Sequence, residues 1–333
     1  MGNVNVAVNV TSQFSLDRFQ ITSGLAGAKH EFIFDERPIT LSLPPAELEG
    51  RGIDVPIMCV KWQSEGMVPL EYRVSVVDLA IELAEPVDIP EELLGLPPSQ
   101  RNLLDKDKIG KLDTLTQEAG DTLKRAFEHW LRVLRWKSRT GSIGEPQIKY
   151  AGPDGGGSFL TERATQKRLW RPPHRIRATL EKAVTSMEWD AVQVALSSNK
   201  QPPVWIDFLF EARMRMNNED RVGGVLTLAI AFEVSLRKIF SAELEKLNAD
   251  PAVLAVLDVA NLRALLTWLK KTRAWNGDWE DATEFSTLHK LMDYRDGVMH
   301  MAKVERLNDA ELRSMYAAVE KFAYFTSRVL GLD

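Results

Sequence analysis

The chain has 333 residues, of which 44% are apolar and 27% charged, and its net charge is −5. These values describe one large or two ordinary globular domains, and they exclude a disordered chain or a generally polycationic nucleic-acid binder. The single cysteine, Cys59, excludes an intrachain disulfide and a cysteine-rich zinc site, and it points to a reducing, cytoplasmic compartment.

The first residues lack the basic start and apolar run of a signal peptide. Gly2 is not followed by Ser or Thr at position 6, which is Val6, so a myristoylation signal is not expected. No apolar run reaches membrane-spanning length; the nearest, 222–234, is short and carries Glu233. No membrane association is expected.

The first ~90 residues read as strands. Val4, Val6, Val8 and Val10 alternate with smaller or polar residues, the period of a half-buried strand. Further strands are predicted at 31–34, 39–43, 57–62 and 72–83, punctuated by Pro44-Pro45 and Gly50-Arg51-Gly52. Their spacing predicts an antiparallel sandwich or open barrel. A Pro- and charge-rich segment, 85–111, follows. An amphipathic helix is predicted over 113–137, with Leu115, Ala119, Leu123, Phe127, Trp130, Leu131 and Leu134 at helical spacing and His129 at the edge of that stripe. Residues 152–158 form the clearest loop; their glycines have neither P-loop nor dinucleotide-binding spacing.

From Arg132 to Lys182 twelve Lys and Arg face only Glu145, Asp154, Glu162 and Glu181. Trp136, Tyr150 and Trp170 are interleaved. Basic groups with aromatics can follow a phosphate backbone and stack bases, so Arg163, Lys167, Arg168, Arg171, Arg175 and Arg177 are candidates for holding RNA. The same pattern also fits a solvated face with core tryptophans.

The remainder is helical. Helices are predicted over 181–198, 205–216, 221–247, 252–271, 282–301 and 309–330, with a turn at Asn217-Asn218-Glu219-Asp220 and a loop at 272–280. Ala183, Val184, Met187, Val192 and Leu196 are expected inward on the first, and Phe285, Leu288, Met292 and Met299 on the fifth. The helix over 221–247 is apolar almost all round, so it is expected to be the most buried element, centred near Ile230. Glu233 in its middle either reaches water at an edge of the helix or needs a partner, and Arg295 is a suitable one. The fold class is therefore α+β: an antiparallel β-rich domain over 1–110, a helical and basic connecting region over 111–185, and an all-α bundle over 186–333.

Chemistry concentrates at Tyr294-Arg295-Asp296-Gly297-Val298-Met299-His300. A guanidinium presents paired, permanently charged donors to phosphate oxygens. An imidazole moves protons near neutral pH. A second copy of the pattern, from Arg168 to His174, contains Pro172 and Pro173 and cannot be helical. No cysteine cluster, His-x-x-x-His pair or carboxylate cluster at ligand spacing occurs, so no metal and no cofactor is expected. On an ideal helix, residues five apart lie about 140° around and ~7.5 Å along the axis, so Arg295 and His300 do not share a face.

Three features together resemble HEPN domains, a family of four- to five-helix bundles. One is the run Ile206-Asp207-Phe208-Leu209-Phe210-Glu211-Ala212, a turn, then Ala229-Ile230-Ala231-Phe232-Glu233-Val234 on a long apolar helix. The second is Arg295-Asp296 followed by His300, with Met301-Ala302 where many members have Gly or Pro. The third is the position of that motif in the penultimate helix. The β-rich start and C-terminal bundle together resemble ApeA-type anti-phage effectors. The resemblance implies a metal-independent endoribonuclease in which the 2′-OH attacks its own phosphodiester, with catalytic candidates Arg295, His300, Asp296 and Glu233. It also implies a homodimer that pairs two motifs in one cleft. Two other readings stand beside it: a non-catalytic HEPN module that binds nucleotide, RNA or a partner protein, and a purely structural helical dimer.

Overall fold

A computed structural model describes residues 3–50, 55–83, 85–92, 106–145, 160–161, 168–170, 182–217, 220–271, 284–301 and 308–332. The architecture is α+β, with antiparallel sheet in the N-terminal part and helices in the C-terminal part. Two compact units divide the chain: residues 1–131 with 143–197, and residues 132–142 with 198–333. The predicted loops at 152–158 and 272–280 lie outside the described residues. Among the described residues, no single helix is long and apolar enough to cross a membrane.

The first unit is built on β2 (Asn9–Thr22), β3 (Lys29–Phe34), β4 (Arg37–Ser42), β5 (Ile57–Trp62) and β6 (Pro69–Glu82). Their order is β2-β6-β4-β3, with β5 also paired to β6. β6 is the spine: its C-terminal half takes β4 in the register Ile39↔Ile81 and Leu41↔Leu79, and its N-terminal half takes β5 in the register Ile57↔Val74. Tyr72 and Val74, then after a change of phase opposite the β2 irregularity Val77, Leu79 and Ile81, are the buried residues of β6, as a one-faced sheet requires. β1 (Asn3–Val6) pairs with β7 (Val87–Pro90) in a separate ribbon. β8 (Leu160–Thr161) and β9 (Arg168–Trp170) form a second one.

Helices cover this sheet, where the strand spacing predicted a sandwich or barrel. α1 (Lys106–Ser138) lays Phe127 flat on Phe14 of β2, with centroids 4.4 Å apart. Trp130 of the same helix meets Phe19 edge-on at 6.1 Å. Trp130 also donates its indole N–H to Nδ1 of His30 at 2.9 Å. That bond makes Nδ1 the acceptor, so Nε2 carries the proton and donates to the Trp189 carbonyl at 3.0 Å. The His30 ring stacks on Trp189 at 3.7 Å. Burial lowers its pKa from 6.5 to about 4, against the opposing pull of the Trp189 carbonyl.

Trp189 belongs to α2 (Ser186–Ser197). The helix starts later than the predicted 181 because Thr185 and Glu188 cap it reciprocally: the Thr185 N–H donates to Glu188 Oε2 at 2.9 Å, and the Glu188 N–H donates to Thr185 Oγ1 at 3.3 Å. Val184, before the cap, is extended and bridges Ile21 of β2. Met187, expected inward, is 81% exposed; Trp189, Val192, Ala195 and Leu196 form the packed face.

The second unit holds α3 (Val204–Asn217), α4 (Arg221–Lys246), α5 (Pro251–Val259), α6 (Leu262–Lys271), α7 (Phe285–Met301) and α8 (Asp309–Val329). α4 is the hub and packs on the other five. Asp220 caps it by accepting from the Gly223 N–H at 2.9 Å. Val225, Leu228, Ala229, Ala231, Phe232, Leu236 and Ile239 are buried. Ile230, around which the most buried element was expected, is itself 42% exposed, on a face of α4 that no described element covers. α3 and α4 approach closely at Gly224, where an added Cβ would lie 3.2 Å from the Ala212 carbonyl oxygen and 3.3 Å from the Met216 nitrogen. The predicted helix over 252–271 is two helices. Ala260 is extended, and Asn261 starts α6 by accepting from the Arg263 N–H at 2.8 Å. On α7, Leu288, Leu291, Met292 and Tyr294 are inward, while Met299, expected inward, is 62% exposed in the last turn. α8 is opened by a capping box between Asn308 and Glu311.

Gly224→Ala should lower stability by about 1–3 kcal/mol, the cost of forcing packed backbones apart. Gly120→Ala, inside α1 with nothing within 4 Å of the added Cβ, should stabilise by roughly 0.5–1 kcal/mol. Chemical denaturation of both variants checks the pair.

His30 gives a pH dependence of defined sign. Between pH 6.5 and about 4 the unfolded chain takes a proton that the folded ring refuses. Stability is therefore full above 6.5 and falls on acidification through this window, by about 1.4 kcal/mol per pH unit. Imidazole NMR should show the Nε2-protonated ring persisting to near pH 4; a midpoint near 6.5 would contradict the packing described.

Candidate functional site

The site forms where α4, α7 and the α5–α6 break meet. Glu233 and Arg237 sit one turn apart on α4, and Arg237 donates to Glu233 Oε1 at 2.8 and 3.1 Å. The same guanidinium reaches the Leu257 carbonyl and, at 3.0 Å, the Ala260 carbonyl. It thus satisfies the C-terminal carbonyls of α5, where a cation is favoured, and it fastens the break between α5 and α6 to the hub helix.

From Glu233 the ionic contacts continue. Its second oxygen, Oε2, accepts from Arg295 of α7 at 3.3 Å. Arg295 reaches Oδ1 of its neighbour Asp296 at 3.5 Å. Asp296 Oδ2 accepts from Arg263 of α6 at 3.0 Å, and Arg263 also meets Asp293 at 2.6 Å. The result is an alternating chain: Arg237, Glu233, Arg295, Asp296, Arg263, Asp293. Each inner carboxylate gives one oxygen to each of two arginines. The chain borders a cleft of about 220 Å³ whose other walls are Ala260, Asn261, Leu262 and Met292.

Arg295 lies at the centre of this row, with its side chain 32% exposed. Its two contacts are the longest in the chain, at the weak end of hydrogen bonding. A carboxylate on either side fixes the direction of the guanidinium, while the length of the bonds leaves donors able to take a phosphate oxygen. Glu233 thus has the partner expected of it, and Asp296 lies beside Arg295 as the motif requires. His300 stands five residues further along α7, which continues as helix through Gly297 to Met301. Its side chain lies outside the described residues.

The six basic candidates of the connecting region are not brought to this cleft by any described contact. Arg163, Lys167, Arg171, Arg175 and Arg177 lie outside the described residues, and Arg168 is described only as backbone in β9. Several flanking members of the basic run are engaged within the protein. Arg132 pairs with Asp207, Lys137 lies over the Trp136 ring, Arg139 over the Tyr324 ring, and Lys182 pairs with Glu188. Trp136, weighed as a stacking platform for bases, is buried core.

Arg237, Arg263 and Asp293 were not singled out from the sequence as site residues. Arg237 had a usable signal, its i+4 spacing from a carboxylate on an apolar helix. Arg263 had none, because the helix break alone aims it at α7. A larger cleft, about 700 Å³, lies in the first unit among the β3–β4 turn, β7 and α1. Glu36, Glu82, Glu85, Asp88, Glu91, Glu92 and Glu118 surround it against Arg37 and Lys111, a charge that repels a phosphate backbone. Among the described residues, no group of three or more His, Cys, Asp or Glu is arranged to hold a metal ion.

Comparison of the chain with protein-family models, with curated proteins and with solved structures finds no match in any of the three.

The pairing makes a stability prediction. Glu233→Gln removes the carboxylate shared by Arg237 and Arg295, leaving Arg295 its longer contact with Asp296, and should cost about 1–2 kcal/mol, toward the low end because the site is partly exposed. In a double-mutant cycle, Glu233→Gln with Arg237→Met should cost less than the sum of the two single changes. Additive costs would show that the pair is uncoupled.

Proposed function

We propose that the chain is a metal-independent endoribonuclease with a HEPN-type bundle, cleaving RNA by attack of a 2′-OH on the adjacent phosphodiester. The observation that carries this reading is Arg295, held between two carboxylates in an open cleft, five residues before His300. A guanidinium aimed at the phosphate stabilises the charge that builds on its non-bridging oxygens. His300 is the group suited to proton transfer. The 2′-oxygen bonds to phosphorus as its proton leaves to a base, the bond to the 5′-oxygen breaks, and that oxygen takes a proton. The products are a 2′,3′-cyclic phosphate and a 5′-hydroxyl. Glu233 acts in this scheme by orienting Arg295 throughout, and Asp296 by orienting it before the phosphate binds.

Two proton transfers and a motif spread around one helix favour a pair of chains, each bringing its Arg295 and His300. The exposed apolar residues near the site support such a homodimer: Ile230 lies one turn before Glu233 on the same face of α4, and Met299 lies beside His300 on α7. The β-rich region would then serve as sensor or regulator of a toxin- or defence-type effector. The basic run from Arg163 to Arg177 would hold RNA by its backbone, and its support is the local charge excess alone.

The assay follows labelled RNA in excess EDTA, with product ends identified by mass. Cleavage should persist, leave cyclic phosphate, and spare DNA of the same sequence. His300→Ala and Arg295→Ala should each lose about 10²-fold or more, with folding checked by circular dichroism. Cleavage abolished by EDTA and restored by Mg²⁺, or full activity in His300→Ala, would overturn the mechanism. RNA binding without cleavage would mark the non-catalytic module instead.

A further inference from the structure

We propose that Arg263 is a second substrate-binding group of this site, holding one phosphodiester jointly with Arg295 in the position that the Asp296 carboxylate now occupies; this rests on the ribonuclease reading above. Arg263 lies outside the Arg295–His300 motif, on a different helix, and the break at Ala260–Asn261 brings it there.

Three observations support it. First, Asp296 bridges the two arginines with its two oxygens, Oδ1 toward Arg295 and Oδ2 toward Arg263. A phosphodiester also offers two non-bridging oxygens, so it can take the same pair of donors. Second, exposure rises along the chain of charges: the side chains of Arg237, Arg295 and Arg263 are 23%, 32% and 47% exposed. Arg237 is committed to the α5 carbonyls at the closed end, and Arg263 stands at the open end, where a strand of RNA would arrive. Third, the present partners of Arg263 are themselves well hydrated, Asp293 at 63% and Asp296 at 35% exposure. Ion pairs of that kind contribute little, so exchanging a carboxylate for a phosphate costs little. Asp293 and Asp296 then hold the guanidinium in place while the cleft is empty and compete with the substrate for it.

The competition makes two substitutions act in opposite directions. The probe is a single-stranded 2′-O-methyl RNA oligonucleotide, which lacks the attacking hydroxyl and reports binding alone. Arg263→Gln should weaken its binding about tenfold, the scale of one charged hydrogen-bonded contact. It should also reduce the slope of log affinity against log salt by about 0.7, the value for one phosphate contact on a single strand. Asp293→Asn, which removes a competitor, should tighten binding a few-fold, and Arg263→Lys should fall between parent and Arg263→Gln. Parent-like affinity and salt slope in Arg263→Gln would overturn the assignment. So would Asp293→Asn weakening binding in step with Arg263→Gln, because that is the pattern of a structural clasp. Cleavage of unmodified RNA by the parent protein is measured alongside. Its absence counts against the ribonuclease reading, whereas cleavage with unchanged binding by Arg263→Gln counts against Arg263 alone.

Discussion

The arrangement around the cleft depends on one carboxylate. Glu233 sits on the hub helix of the bundle, half-buried, where an unpaired charge would be costly. It is held by two arginines that come from different places and do different work. Arg237, one turn away, ties Glu233 to the end of α5. Arg295 ties it to α7. The same side chain therefore fixes where the α5–α6 break lies and where the central guanidinium points. Ion pairs of this kind add less to stability than to geometry. Under the proposed ribonuclease reading geometry is what the site needs, since donors must be aimed before a phosphate arrives.

The rest of the second unit makes that aim rigid. Gly224 lets α3 and α4 approach until an added Cβ would meet the α3 backbone, so the hub helix packs on α3 at close range. Phe232 of α4 meets Phe322 of α8 edge-on at 5.2 Å, close to Glu233 in sequence. The first unit achieves rigidity by other means. A neutral histidine, His30, is locked in one tautomer between two tryptophans, joining sheet, α1 and α2 through one ring.

Much of this was legible in the sequence where a periodic signal was uninterrupted. The strand at 57–62 and the helix carrying Trp130 follow from spacing; the valines at 4, 6, 8 and 10 mark extended chain, but their single period hides its break at Ala7-Val8 into β1 and β2, which pair in different sheets. The long β2 was missed because its pattern changes phase. Phe14 and Ser15 keep one register, then Leu16, Asp17 and Arg18 stand against the single Ser75 as a bulge, with Arg18 at φ 55°, before Phe19 and Ile21 resume. The α5–α6 break was missed because Ala-Asn within an apolar run is a weak stop signal, decided here by an Asn261 cap and by Arg237 reaching from another helix. At the site, a charged residue in the middle of an apolar helix announced that it needed a partner, and the pairing of Glu233 with Arg295 followed. Arg263 could not be reached in that way, because only tertiary structure relates it to α7.

The central claim is that the paired carboxylate aims Arg295 at the scissile phosphate. The most direct measurement is the single-turnover cleavage rate of Glu233→Gln beside the parent protein, in EDTA and at a temperature where both are fully folded. If Glu233 orients Arg295, the variant should cleave about tenfold or more slowly while keeping its fold, the cost of loosening one donor that acts in the transition state. A folded Glu233→Gln protein that cleaves at the parental rate would contradict the account.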